Sequence, residues 1–356
     1  MRILWWGKYG NYGPNYPRNR TIQTCLRELG HEIIEFRPRF SETAIIESTF
    51  KNFGTIDAVW VPCFRQRDVN AAYKWATKHA VPLIFDPLIS AYDKQVFERK
   101  KFPAGSLKAI KLLKDETTMF SKADWLIADT ECHRQFFAET FSYPIENIRT
   151  IPVSAEEQLF TPAANPIHST PPEKPEVLFF GTFISLQGST YIAEAIQYYS
   201  GPAIKLCFLG DGPEQHLCED IANSRNNPLV DVTFETWVPI EQLADRIKQA
   251  SICLGVFGKG EKAHRVIPNK VYQSLACNRA LITLKCDAYP ESLMGDDSGI
   301  SWVEAGRPNQ IASAIEYTLS ILNDATSYDL PRNTYDTHFS NSRIKEVLSE
   351  ILVGIN

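Results

Sequence analysis

The chain has no hydrophobic run of the length a transmembrane helix needs, and its apolar opening, Met1-Arg2-Ile3-Leu4-Trp5-Trp6-Gly7, is far too short for a signal peptide. It has no excess of positive charge. The net charge is -5, from 37 Lys+Arg against 42 Asp+Glu, which argues against general nucleic-acid binding because that role needs a basic surface. It has no paired cysteine motif. The eight cysteines (25, 63, 132, 207, 218, 253, 277 and 286) are scattered, and several sit in apolar strand patterns, so a reduced cytosolic protein is expected and not a disulfide scaffold. The seven histidines form no His-Glu-x-x-His and show no ligand spacing, so no metal is expected. No Gly-x-Ser-x-Gly elbow and no Gly-x-x-x-x-Gly-Lys-Ser/Thr loop occurs, which removes the α/β-hydrolases and the P-loop enzymes.

What is present is a repeated alternation. The length of 356 residues suits two domains, and the 44% apolar and 22% charged fractions are those of a globular protein. Strand patterns at 2–7, 31–36, 57–63, 81–86, 124–129 and 147–153 are separated by helical ones at 21–29, 68–79, 106–121 and 131–141. Residues 154–174 break the rhythm with Pro162, Pro166, Pro171 and Pro172 and no apolar period, as an interdomain linker would. Strands then resume at 177–181, 204–210, 230–234, 251–257, 280–285 and 300–303. The helices between and after them lie at 189–199, 214–222, 240–250, 269–276 and 308–322. The expected fold is α/β: two Rossmann-like doubly wound domains facing across a cleft, at 1–160 and 176–337, joined by a linker at 161–175. A terminal amphipathic helix within 338–356 is expected to pack back on the first domain.

Ligands of such sheets bind at the carboxyl ends of the strands. The most informative stretch, 258–276, follows the buried strand at 251–257. It packs Lys262, Arg265 and Lys270 into nine residues, then enters a helix at Pro268-Asn269 with Val271, Leu275 and Ala276 on one face. Cations ahead of a helix N-terminus make an anion site large enough for two phosphates. Gly181-Thr182-Phe183-Ile184-Ser185-Leu186-Gln187-Gly188 and Gly210-Asp211-Gly212-Pro213 mark two more strand ends of the same sheet. Together the three suit a nucleotide; singly each reads as an ordinary strand-to-helix turn. The first βα loop, 7–20, holds Gly7, Gly10 and Gly13 but not Gly-x-Gly-x-x-Gly, so it is a weak signal for nicotinamide or flavin. It either lines a cleft or is a surface loop.

These pieces, in this order and spacing, resemble the GT-B glycosyltransferases, and more narrowly their family 4, over nearly the whole chain. The linker residues Ile151-Pro152-Val153 and Leu159-Phe160-Thr161-Pro162 resemble the family's interdomain link. The resemblance implies a retaining, metal-independent transferase moving a hexose-type sugar from a nucleotide-diphosphate sugar of UDP or GDP type. No other cofactor is implied. The acceptor is a glycan, a lipid-linked molecule or a small molecule. The donor would be held by Gly181, Thr182, Gln187, Gly188, Gly210, Ile267, Pro268, Asn269, Lys270 and Gln273, with Trp237 and Val238 near the base. Acceptor-side candidates are Gly10, Tyr12, Gly13, Tyr16 and Arg18. The family commonly carries two glutamates with seven residues between them; here those positions are Arg265 and Gln273. The family's arginine and lysine after the Gly181 strand are also replaced, with Gln187 near the lysine position. The counter-charge for the diphosphate is therefore expected on Lys262 and Arg265. Where many relatives place a histidine, this chain has Asp86, which either faces the donor sugar or caps the next turn. The catalytic candidates are thus Asp86, Lys262 and Arg265.

Lys94, Arg99, Lys100, Lys101, Lys108, Lys111 and Lys114 are interleaved with Phe97, Phe102, Leu107, Ile110, Leu112 and Leu113. Residues 94–114 either rest on an anionic membrane face from the cytoplasmic side or form a solvated helix face over core leucines. Two rival functions remain open: an epimerase of sugar nucleotides on the same fold, which would need acid/base carboxylates and histidines at the strand ends, and a non-catalytic nucleotide-sugar-binding module. A two-lobed solute-binding protein would need an export signal.

Overall fold

Continuous apolar strands, as opposed to alternating ones, are what a parallel sheet covered on both faces demands. Ile3 to Trp6 and Ala58 to Val61 are all buried, as are Val177 to Phe180 and Ile252 to Leu254. The structure, a computed structural model, describes residues 1–7, 16–162, 174–322 and 329–355. The chain divides into two compact units, Met1–Ser154 with Asn341–Asn356, and Ala155–Ser340. The division precedes the expected boundary at 160 because the intervening residues are tied to the second unit. Phe160 is buried, the Tyr335 hydroxyl donates to the Ala155 carbonyl at 3.4 Å, and Lys248 Nζ donates to Thr161 Oγ1 at 3.2 Å. Residues 163–173 of the expected linker lie outside the described residues.

In the first unit β1 (Arg2–Trp6), β2 (Glu32–Phe36), β3 (Ala58–Val61), β4 (Leu83–Phe85), β5 (Trp125–Ala128) and β6 (Ile148–Thr150) form one parallel sheet, ordered β2-β1-β3-β4-β5-β6. Its helices are α1 (Pro17–Glu28), α2 (Ala44–Thr49), α3 (Val69–His79), α4 (Leu107–Phe120) and α5 (Glu131–Phe141). Side-chain caps set two of their starts: Ser106 Oγ accepts from Ala109 N, and Thr130 Oγ1 accepts from His133 N. α1 begins before the expected 21 because Pro17, with its fixed φ, opens the helix. One sheet face packs Leu4, Val59 and Phe85 against Trp75, Phe120 and Phe137.

In the second unit β7 (Glu176–Phe180), β8 (Ile204–Leu209), β9 (Val230–Glu235), β10 (Ile252–Leu254), β11 (Ala280–Leu284) and β12 (Ile300–Val303) are also parallel, ordered β12-β11-β10-β7-β8-β9. This is the doubly wound order of dinucleotide-binding sheets, and its switch point lies between β7 and β10. The helices are α6 (Ser189–Ala195), α7 (Gln215–Ser224), α8 (Ile240–Gln249), α9 (Asn269–Ala276), α10 (Pro308–Ile321) and α11 (Leu330–His338). The final helix, α12 (Asn341–Ile355), belongs to the first unit. Its Ile344, Leu348, Ile351 and Leu352 share a core with Ile3, Trp5 and Trp60 of the sheet and Ile22 and Leu26 of α1. Among the described residues no helix is long and apolar enough to cross a membrane.

Candidate functional site

The switch point of the second sheet is where a ligand crevice is expected, and its walls are the loops that follow β7 and β10. Two glycines let these loops meet. Gly188, at φ +68°, sits where a Cβ would strike the backbone of Phe257 at 2.7 Å, so the loops touch directly. The contact is fixed by Phe257 N donating to Gln187 O at 3.0 Å. Gly181 ends β7 at φ +151°, a conformation that side-chain-bearing residues rarely adopt. A Cβ there would stand 3.0 Å from Lys270 Nζ and 3.5 Å from Gln187 Oε1. Gly210, at the end of β8, lies against the Gly181 carbonyl on one side and the Trp237 ring on the other. The indole of Trp237 is 43% exposed, and its edge is anchored by Nε1 donating to Asp211 Oδ1 at 2.8 Å.

Lys270 is the second residue of α9, and its side chain runs inward under Gly181. Its Nζ lies 3.8 Å from the centroid of the Phe179 ring and has no hydrogen-bond partner among the described residues; neither has Gln187 Oε1. Burial draws the Lys270 amine well below its ordinary range. The structure thus brings Gly181, Gln187 and Lys270 to one point, with Gly188, Gly210 and Trp237 around it. Thr182 is exposed beside them, Ile267 is buried, and Val238, Pro268, Asn269 and Gln273 are half-buried. The two cations expected to lead are placed differently. Lys262 lies half-buried in a single helical turn, Glu261–His264, and Arg265 Nη2 pairs with Glu261 at 3.3 Å. That pair was legible in the four-residue spacing of Glu261 and Arg265. The aromatic support from Phe179 had no sequence signal.

At the strand ends of the first unit the candidates are drawn inside. Arg18 lies in α1, not in a loop, and is fully buried with Asp86. Arg18 Nε donates to Asp86 Oδ2 at 2.8 Å, and its Nη1 donates to the carbonyls of Ile151 and Pro152 at 2.9 and 3.0 Å. Burial pushes the Asp86 carboxyl up, and the Arg18 charge pulls against it. Arginine keeps its proton, so the two form an ion pair. Beside them the Asp129 carboxylate meets His133 Nδ1; burial would raise it, but His133 and Arg18 hold it below the usual range. Asn19 Oδ1 accepts from Cys63 N at 3.2 Å. The expectations for Asp86 and Arg18 are therefore corrected. They neutralise each other in the interior; Asp86 does not stand open towards a sugar, nor Arg18 towards an acceptor. Tyr16 flanks α1 with its ring edge-on to Phe64 at 4.9 Å, while Gly10, Tyr12 and Gly13 lie outside the described residues. A separate cavity of about 540 Å³ opens after β3 and β4, lined by Phe64, Arg65, Gln66, Ile89, Lys94 and Met119 among others.

Residues 174–320 match the family described as glycosyl transferases group 1. No curated protein matches the chain by sequence. Among solved structures, sucrose-phosphate synthase from Thermosynechococcus elongatus is similar with a TM-score of 0.71 at 15% identity, over 100% of this chain and 99% of that one. HepE of Anabaena in complex with UDP-glucose reaches 0.70 at 12% identity, over 99% and 100%. The lipopolysaccharide outer core galactosyltransferase WaaB, in its apo form, reaches 0.67 at 12% identity, over 99% of each chain. The two parallel six-stranded sheets share the fold of these GT-B glycosyltransferase structures, and the stretch that matches group 1 glycosyl transferases lies in the second unit.

Proposed function

We propose that the protein is a cytoplasmic, retaining, metal-independent transferase of the family 4 type, moving a hexose-type sugar from a UDP sugar to a glycan or lipid-linked acceptor. The observation that carries this reading is the buried, unbonded amine of Lys270 and amide oxygen of Gln187 flanking Gly181 at the switch point of the matched domain. A diphosphate needs cationic and hydrogen-bonding groups to take up its charge, and in this reading protein groups supply them with no metal. UDP is favoured over GDP because HepE is solved with UDP and with UDP-glucose. The rival epimerase reading would use titratable groups at the first unit's strand ends. Asp86, Asp129 and His133 are spent on partners there.

Thermal-shift measurements with UDP, GDP, ADP and TDP test the donor. Saturating UDP at about 100 times its Kd adds about 2.7 kcal/mol to stability and raises Tm. No shift with any of the four ends the reading. Slow hydrolysis of UDP-glucose without acceptor separates an enzyme from a binding module.

The same reading includes peripheral contact with an anionic membrane through 94–114. On the outward face of α4, Leu107 is 86% exposed and Ile110 53% exposed, among the exposed Lys108, Lys111 and Lys114. A solvated face would not need two large aliphatics in the open. Co-sedimentation with vesicles containing phosphatidylglycerol should succeed at low salt, weaken at high salt, and fail for the double variant Leu107→Asp, Ile110→Asp. Equal pelleting of wild type and variant removes the contact.

A further inference from the structure

Lys270 is only 4% exposed, and its surroundings hold no charge to balance it. From β7 it meets the rings of Phe179 and Phe180, with centroids at 3.8 and 5.7 Å. From the β7 loop it meets the neutral amide of Gln187, and from its own helix its backbone carbonyl accepts from Ser274 Oγ. Among the described residues, the one ionisable group whose charge reaches it is the Cys253 thiol of β10, itself pushed up by burial to about 11 and so uncharged near neutrality. An unbalanced buried ammonium costs several kcal/mol, whereas a ring beneath it returns about 2 kcal/mol. Desolvation wins, and the empty site holds the amine well below its ordinary range.

The setting is nevertheless built for a charge. An amine and an amide both lack partners, both border the space beside Gly181, and only glycine keeps that space clear. The buried amine, a donor left without an acceptor, implies a guest with acceptor oxygens and negative charge; Gln187 Oε1 only accepts, so Gln187 bonds the same guest by turning its amide nitrogen inward. We propose that Lys270 is the cation of the donor diphosphate and that it takes up a proton from solvent as the diphosphate enters. This rests on the donor reading above. The amine gains one proton, the diphosphate oxygens accept from the ammonium, and no covalent bond of the donor changes in this step. Gln187 turns its amide nitrogen to the same oxygens. When the sugar departs, the terminal phosphate gains a negative charge that the ammonium already faces, so Lys270 holds the leaving group more tightly than the substrate. The counter-charge expected on Lys262 and Arg265 thus falls to Lys270.

The linkage has a definite sign. Lys270 is depressed in the empty protein and restored in the complex. Between those two values affinity falls about tenfold per pH unit as pH rises, and below the lower one it is flat.

Calorimetry with UDP at about pH 8 decides the matter, because the terminal phosphate of UDP is already ionised there (its pKa is near 6). Titrations in buffers of different ionisation enthalpy should report net proton uptake on UDP binding. Lys270→Met should bind at least about tenfold more weakly with no uptake, and Lys270→Arg should bind with no uptake because a guanidinium never loses its charge. Should Lys270→Met not fold, the wild-type titration and Lys270→Arg still decide. If UDP binds wild type without proton uptake, or binds Lys270→Met as tightly, this inference fails and the donor site stands. If no nucleotide binds wild type, the donor reading itself fails.

Discussion

Lys270 and Arg18 are both buried cations, and the contrast between them separates a binding group from a structural one. Arg18 is answered by Asp86 and two backbone carbonyls; Lys270 is answered by nothing but ring faces. Arg18→Ala would strand the Asp86 carboxylate and should cost about 3–5 kcal/mol, measured by urea unfolding. Gly181→Ala should do the reverse, weakening UDP binding far more than it lowers Tm. The new methyl stands 3.0 Å from Lys270 Nζ, and the backbone strain is about 1–3 kcal/mol. A third test uses pH. The unfolded chain keeps the Lys270 proton up to about pH 10.4, while the empty folded protein gives it up earlier, so the unfolded state binds more protons in that window. Stability of wild type relative to Lys270→Met should therefore rise with pH there, and saturating UDP should flatten the rise; parallel Tm curves for the two proteins would contradict it. The sequence named Lys262, Arg265 and Lys270 and put the first two ahead. Ranking needs burial, which depends on whether the side chain runs under Gly181 or out toward Glu261.

At the scale of elements, the central strands were legible because a parallel sheet covered on both faces demands unbroken apolar runs, as in Ile3 to Trp6, Ala58 to Val61, Val177 to Phe180 and Ile252 to Leu254. α9 was legible to the residue from Pro268-Asn269 and its apolar face. What escaped had weaker signals. α2 is a turn and a half long, too short for a period to show. α11 begins beside Pro331 and buries only Pro331, Thr334 and Tyr335, so it carries no apolar stripe. It is held by contacts with α9: Tyr272 packs edge-on to Phe339, which follows α11, at 5.0 Å, and Arg332 Nη1 of α11 donates to Ala276 O at 3.0 Å. α1 begins four residues before the apolar period at 21, because Pro17 opens it without contributing to that period. Its place at the helix start was the available clue, and missing it left Arg18 in the wrong setting. The partners of Arg18 come from β4 and the end of β6, far along the chain, and no local pattern reports such contacts.

At the scale of the molecule, the two strand orders place the switch points after β1 and β7, the loops that the sequence had singled out. The first unit is not contiguous. Its sheet face carrying Ile3, Trp5 and Trp60 is covered by α1 and by α12, the latter separated from the rest of the unit by the whole of Ala155–Ser340. Removing residues 341–356 should lower the melting transition of the first unit and leave UDP protection of the second unchanged, read by calorimetry with and without nucleotide. Loss of both together would show that the second unit depends on the helix as well.

That arrangement also sets an order of events during synthesis. The amino-terminal sheet emerges first from the ribosome, yet its tryptophan-rich flank has only α1 for cover until the whole of Ala155–Ser340 and then α12 have been translated. The later half can mature while the earlier one waits, so newborn chains should be most vulnerable to chaperone capture through the very strands made earliest.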